Sequence, residues 1–178
     1  MRKVLLLLIC ICTVFIGFGQ ITTTGSGNWS SASTWSTNAV PTSTDNVVIS
    51  AGHTIVVDDA NAVCNSISFG AATSKLNMST ATSVLSVYGD FTIATTTHNV
   101  FSGWASGAKI KFTGGATQTL SGWITGTSGA TNYATSMVEM IVDKTVGTKV
   151  KTAGTDMKFS IGTSLEIISG TFELTKND

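Results

Sequence analysis

The sequence predicts an all-β fold, with a parallel β-solenoid set against a β-sandwich as the alternative. Three observations lead there. After the first twenty residues no stretch sustains apolar residues at the helical i, i+3, i+4, i+7 spacing, whereas β-branched residues recur in short alternating runs. Gly, Ser, Asn and Asp separate those runs. No Asn-Gly or Asp-Gly pair occurs, and those are the dipeptides that mark the two-residue hairpins of a sandwich.

The strands follow in order. Val47-Val48-Ile49 and Thr54-Ile55-Val56-Val57 are the first two, divided by the turn Ala51-Gly52. Ser66-Ile67-Ser68-Phe69 is ended by Gly70; Lys75-Leu76-Asn77-Met78, Val84-Leu85-Ser86-Val87 and Asp90-Phe91-Thr92-Ile93 come next. A looser stretch runs from His98 to Trp104, followed by Lys109-Ile110-Lys111-Phe112 and Gln118-Thr119-Leu120. The last runs are Val138 to Val142, Thr148 to Lys151, Met157 to Ser160, Ser164 to Ile167 and Thr171 to Leu174. Successive strand side chains face opposite sides, so Ile110 and Phe112 belong to a dry face and Lys109 and Lys111 to a wet one. Phe172 and Leu174 oppose Glu173 in the same way. A solenoid repeats at roughly twenty residues, and Ile67, Val87 and Ile110 lie near that interval, with Gly70, Gly89 and Gly114 close behind them.

Residues 1–19 read as a cleavable leader. Met1, Arg2 and Lys3 give a positive start, Val4 to Ile16 an apolar run, and Gly17-Phe18-Gly19 the small residues of a cleavage site, leaving Gln20 as the mature N-terminus. At roughly 15 residues the apolar run is short of the ~20 that span a bilayer, and no membrane insertion is expected after cleavage. Cys10 and Cys12 leave with the leader, so Cys64 has no partner for a disulfide. Residues 20–46 are expected to cap the core, and 47–178 to form the coils. The chain stops soon after a strand without an atypical closing coil, so it is expected to be a fragment of a longer protein.

Charge excludes whole classes of function. Arg2 is the only arginine and lies in the leader; the lysines are scattered, apart from Lys109/Lys111 and Lys149/Lys151. Nucleic acid needs clustered basic residues to neutralise phosphate, so it is not an expected partner. Electrostatic attachment to anionic lipid is excluded on the same ground.

Candidate sites divide between binding and structure. Trp29 and Trp35 could offer a platform to sugar rings; the stronger expectation is that they close the open end of the core, with Pro41 setting the corner and Asp45 holding turn amides before Val47. Trp104 and Trp123, in Gly/Ser-rich stretches, are the weak candidates for sugar contact. Asp45, Asp58, Asp59 and His53 form the densest polar cluster, which in principle could hold calcium or hydrolyse glycosides. No calcium-loop pattern accompanies it, and His53 and His98 are too few for zinc beside one cysteine. Cys64 reads as a small core residue. No catalytic residue, metal or cofactor is expected. Asn28-Trp29-Ser30 and Asn77-Met78-Ser79 fit the glycan-acceptor pattern, relevant only in a eukaryotic secretory route.

Gly27-Asn28-Trp29, Trp35, Val40-Pro41, Asp45-Asn46-Val47-Val48-Ile49 and Gly52-His53-Thr54-Ile55-Val56-Val57-Asp58 together resemble the opening block of secreted β-helical surface proteins of Bacteroidetes type. The same block is similar to the eight-glycine extracellular domain of some animal matrix and ciliary proteins. Ile110 to Gly114, Gln118 to Gly122 and Ser169 to Leu174 resemble coil repeats of the bacterial group. The resemblance implies a right-handed parallel solenoid, export through outer-membrane machinery of the type IX kind, and display at the cell surface. The expected function is structural or adhesive, with polysaccharide or a host matrix surface as partner. The alternative is the non-catalytic N-terminal part of a secreted polysaccharide lyase or glycoside hydrolase.

Overall fold

A computed structural model describes residues 19–93, 100–121, 139–153 and 165–174. Residues 1–18 of the leader, His98, Trp123 and the strand expected at Met157 to Ser160 lie outside the described residues. The strands, in chain order, are β1 (Gln20–Thr22), β2 (Gly27–Asn28), β3 (Asn46–Ile49), β4 (Thr54–Val56), β5 (Ala62–Cys64), β6 (Ile67–Phe69), β7 (Lys75–Met78) and β8 (Val84–Val87). They continue as β9 (Phe91–Ile93), β10 (Phe101–Trp104), β11 (Lys109–Gly114), β12 (Gln118–Ser121), β13 (Glu139–Lys144), β14 (Lys149–Ala153), β15 (Leu165–Ser169) and β16 (Thr171–Glu173). The one helical element described is a single 3-10 turn, Ala32–Thr34. The fold is all-β.

Three sheets take up these strands: β1-β3-β6-β9-β12-β14-β16, β10-β7-β4-β2 and β15-β13-β11-β8-β5. Every pairing between described strands is parallel. From β3 to β12 the chain visits the seven-, four- and five-stranded sheets in strict rotation, so hydrogen-bonded neighbours are never consecutive in sequence. This topology explains the missing hairpin signals, because parallel neighbours are joined by crossovers rather than tight turns.

The interior is built as columns of apolar side chains. Ile21, Val47, Ile67, Phe91 and Leu120 lie successively in register across the largest sheet. Cys64, Val87, Phe112 and Val142 do the same in the five-stranded one, and Ile55 and Leu76 in the four-stranded one. All of these are buried. Burying each large apolar side chain contributes about 1.5–3 kcal/mol. Phe91 sits at the centre, 5.5 Å from the Phe69 ring and 6.2 Å from that of Phe112 on another sheet.

Several sequence expectations need correction. Ile67, Val87 and Ile110 do not repeat one position: Ile67 pairs with Val47 and Phe91, whereas Val87 pairs with Phe112, and Ile110 with Leu85. The pairing interval is not constant either. Val47 meets Ile67, Ile67 meets Phe91, Phe91 meets Leu120 and Leu120 meets Thr152 at growing separations, but Ile21 with Val47 and Val150 with Phe172 break the trend, so the interval varies without a fixed period. Segment 20–46, expected only to cap, also contributes β1 and β2 to the ladders. The looser stretch before Lys109 contains β10, whose register against β7 is broken between Phe101 and Gly103. Leu174, expected on the dry face, is 66% exposed, as are Leu165, Ile167 and Ile168 to about half. These residues lie at or beside β15 and β16, the outermost strands of their sheets, where no further described strand covers them.

On the outer surface Lys111 pairs with Asp143 at 2.6 Å, Lys149 with Glu173 at 2.6 Å and Lys109 with Glu139 at 3.6 Å, each between adjacent strands. Exposed pairs of this kind contribute about 0–1 kcal/mol; opposite charges placed side by side do more to penalise a slipped register. Turns close tightly at Gly114, with φ +93° and a would-be Cβ 3.3 Å from the Tyr88 ring. Gly170 is tighter still: at φ +86° a Cβ would lie 2.9 Å from that of Lys144.

Phe91→Ala is expected to destabilise the protein by about 3–5 kcal/mol, because the central ring leaves a cavity its neighbours cannot fill. Chemical denaturation followed by far-ultraviolet circular dichroism measures it; a loss below about 1 kcal/mol would contradict the packing described.

Candidate functional site

The residues singled out in the sequence meet most closely at the N-terminal end. After β2 the backbone turns through Ala32–Thr34, where Trp35 N–H donates to Ala32 C=O at 3.1 Å. It then runs back along β1, with Thr24 N–H donating to Thr34 C=O and Ser36 N–H to Thr22 C=O, both at 2.9 Å. This reversal lays Trp29 and Trp35 over the core edge-to-face, with ring centroids 4.9 Å apart at 69°, and both are buried. Trp35 Nε1 donates to Trp29 C=O at 2.9 Å. Trp29 Nε1 is buried and has no hydrogen-bond partner. Neither indole face is open to a sugar ring.

The polar cluster is dispersed by the fold. Asp45 Oδ2 accepts from Thr42 N–H at 2.8 Å and from Thr42 Oγ1 at 2.6 Å, fixing the corner after buried Pro41. Asp58 reaches the other way, accepting from Ser30 N–H at 3.0 Å and Ser30 Oγ at 2.6 Å. Burial works to raise the Asp58 carboxyl, but hydrogen bonds from Ser30, its own backbone and Asn28 outweigh it and hold the group below the ordinary 3.8. Asp59 accepts from Asn61 N–H at 2.9 Å, and His53 Nδ1 lies 2.7 Å from Thr23 Oγ1. Each group serves its own turn, so the four do not form a common centre. Among the described residues no group of three His, Cys, Asp or Glu side chains is placed to hold a metal.

Beside this tryptophan pair lies a shallow cleft of about 280 Å³, lined by Thr24, Ser26, Asn28, Ser31, Ser33 and Thr34 among others. Its hydroxyls are largely committed internally: Thr24 Oγ1 donates to Ser33 C=O, Thr34 Oγ1 to Asn28 C=O, and Ser31 and Ser33 hydroxyls meet at 3.0 Å. The surface is polar, uncharged and without a nucleophile–base pair. Trp104 stands elsewhere, half-buried on β10, edge-on to Phe101 at 6.0 Å and packed against the core. Cys64 is fully buried, and burial pushes its thiol far above the ordinary 9.0, which leaves it unreactive.

Sequence reading missed one cluster. Lys144 is 3% exposed and donates to Gln118 Oε1 at 2.5 Å and to Thr113 C=O at 3.1 Å. Gln118 Nε2 in turn donates to Val87 C=O at 2.8 Å and Gly89 C=O at 2.6 Å. Three backbone carbonyls and the Gln118 side-chain oxygen are thereby engaged at one corner. The signal was available in alternation: Gln118 shares parity with Leu120, and Lys144 with Met140 and Val142, so both had to point inward. Burial lowers the Lys144 ammonium from its ordinary 10.5.

The G8 domain family matches residues 34–150, about two-thirds of the chain. No curated protein and no solved structure matches it. The chain belongs to the G8 domain family, a domain of extracellular type. Among the described residues no helix is long and apolar enough to cross a membrane.

Two outcomes are expected. Trp35→Phe and Trp29→Phe remove similar volumes, but only the first strips a donor from a buried carbonyl, so it should cost about 1–2 kcal/mol more; equal losses in denaturation would contradict the hydrogen bond. Because the folded-state pKa of Lys144 is lowered, the unfolded chain binds more protons between that value and 10.5. Stability should therefore rise with pH across that window and show the full penalty below it. Lys144→Met should flatten the rise, leaving the smaller contribution of Lys75, which burial lowers in the same sense. Denaturation midpoints at stepped alkaline pH measure this.

Proposed function

We propose that this member of the G8 domain family is exported and serves outside the cell as a non-catalytic, right-handed parallel β-solenoid that spaces or adheres. The observation that carries the reading is the strict rotation of β3 to β12 through three parallel sheets, which a chain wound as successive coils produces and a sandwich of hairpins does not. Right-handed crossover is the physical default for parallel strands. Removal of the leader after Gly19 goes with the extracellular type of the domain.

The non-catalytic part is supported by what the polar groups already do. Asp45, Asp58, Asp59 and Asp143 are each bonded to a neighbouring turn, lysine or hydroxyl, and Cys64 is sealed in the core. Adhesion is supported by an outer surface rich in Ser and Thr and poor in unpaired charge. Such a surface matches neutral polysaccharide or extracellular matrix better than nucleic acid or anionic lipid.

The mature protein applied to immobilised polysaccharides and matrix proteins, with circular dichroism confirming its fold, is expected to be retained on at least one. Loss of retention in Trp104→Ala or Trp123→Ala would assign the contact to that ring; retention in both assigns it to the hydroxyl-rich flank. No retention on any surface by folded protein would reduce the role to a spacer, and cleavage of any polysaccharide would overturn the non-catalytic reading.

A further inference from the structure

We infer that the buried side chains of Lys144 and Gln118 join covalently, in an isopeptide bond between β13 and β12. The Lys144 amine attacks the Gln118 carboxamide carbon, and an Nζ–Cδ bond forms. The Cδ–Nε2 bond breaks, a proton passes from Nζ to Nε2, and ammonia leaves. No oxidant, reductant or second substrate enters the balance.

Geometry carries the inference. Lys144 Nζ lies 2.5 Å from Gln118 Oε1. A carbonyl bond is about 1.23 Å long, so the carboxamide carbon is at most about 3.7 Å from the nucleophile. Reacting atoms held at about 3–3.5 Å are in near-attack geometry. Neither partner is free to turn away. Nζ also donates to Thr113 C=O at 3.1 Å, and Nε2 is held by Val87 C=O and Gly89 C=O. Gln118 is fully buried and Lys144 nearly so, which keeps bulk water from competing for the carbon. Among the described residues no carboxylate pairs with Lys144 to hold it as an ammonium. Burial lowers its pKa in the same direction, toward the neutral amine that attacks.

Closure has a structural return. It ties the seven-stranded sheet to the five-stranded one across 26 residues. Among the described residues no disulfide offers such a tie, because Cys64 is free and buried. The bond also replaces a buried cation with a neutral amide. A water in the place of the lost nitrogen satisfies Val87 C=O and Gly89 C=O. The alkaline rise in stability expected above belongs to the protein before closure.

The experiment is intact mass measurement of the full folded chain before and after incubation at mildly alkaline pH, followed by proteolysis and tandem mass spectrometry. Lys144→Met is the control. The expected result is a chain lighter by one ammonia, with a branched peptide joining the segment around Gln118 to that around Lys144, and no such peptide in the control. An N-terminal glutamine that cyclises gives the same deficit, so the place of the loss decides. An unchanged mass in folded protein after prolonged incubation would overturn the inference, as would an ammonia deficit mapped to any other residue.

Discussion

Lateral backbone pairing between parallel strands remote in sequence is the constraint on which the rest of this structure depends. A parallel strand cannot be held by its sequence neighbour, so each ladder must recruit a strand from an earlier passage of the chain. Once the ladders form, inward side chains fall on inward side chains. The columns through Val47, Ile67, Phe91 and Leu120, and through Cys64, Val87 and Phe112, are therefore consequences of register rather than separately designed contacts. The core is narrow, and two adjacent columns touch through Phe91 and Phe112.

The same constraint dictates how polar groups are handled. Where a ladder stops at a corner, backbone carbonyls need partners from side chains. Buried hydroxyls answer two of them: Ser74 donates to Ser50 C=O and Ser83 to Val57 C=O on the preceding passage. Gln118 and Lys144 answer three more, those of Val87, Gly89 and Thr113, with longer side chains. An amide can donate and accept at once, which lets Gln118 relay between two backbone carbonyls and a lysine. The lysine carries a desolvation cost that the hydroxyls do not, yet removing it alone would leave Gln118 Oε1 and Thr113 C=O unpaired in an apolar setting.

Much of this was legible in the residues. Alternation in Lys109-Ile110-Lys111-Phe112 gave both the strand and its buried face, and the block from Trp29 to Asp58 pointed to the domain family that matches residues 34–150. What stayed hidden had physical reasons. β1, β2 and β5 are two or three residues long, too short for alternation to stand out from background. The partners of each strand could not be read because ladders join distant segments, and Ile67 and Val87 look equivalent in spacing while belonging to different sheets. Asp45 is legible from its place before a strand and does hold Thr42, whereas the anchoring of Ser30 by Asp58 joins residues far apart in sequence and leaves no local signal.

The unequal interval between paired strands carries an evolutionary meaning. A rung requires only that two short segments arrive in register; it is indifferent to the contour length of chain spent between them. Closing a longer loop is cheap, since doubling its length adds only about 0.6 kcal/mol of entropy. Added sequence can accumulate between rungs while Leu120 still finds Phe91 and Thr152 still finds Leu120. Such an architecture can diversify its periphery by insertion without renegotiating its interior.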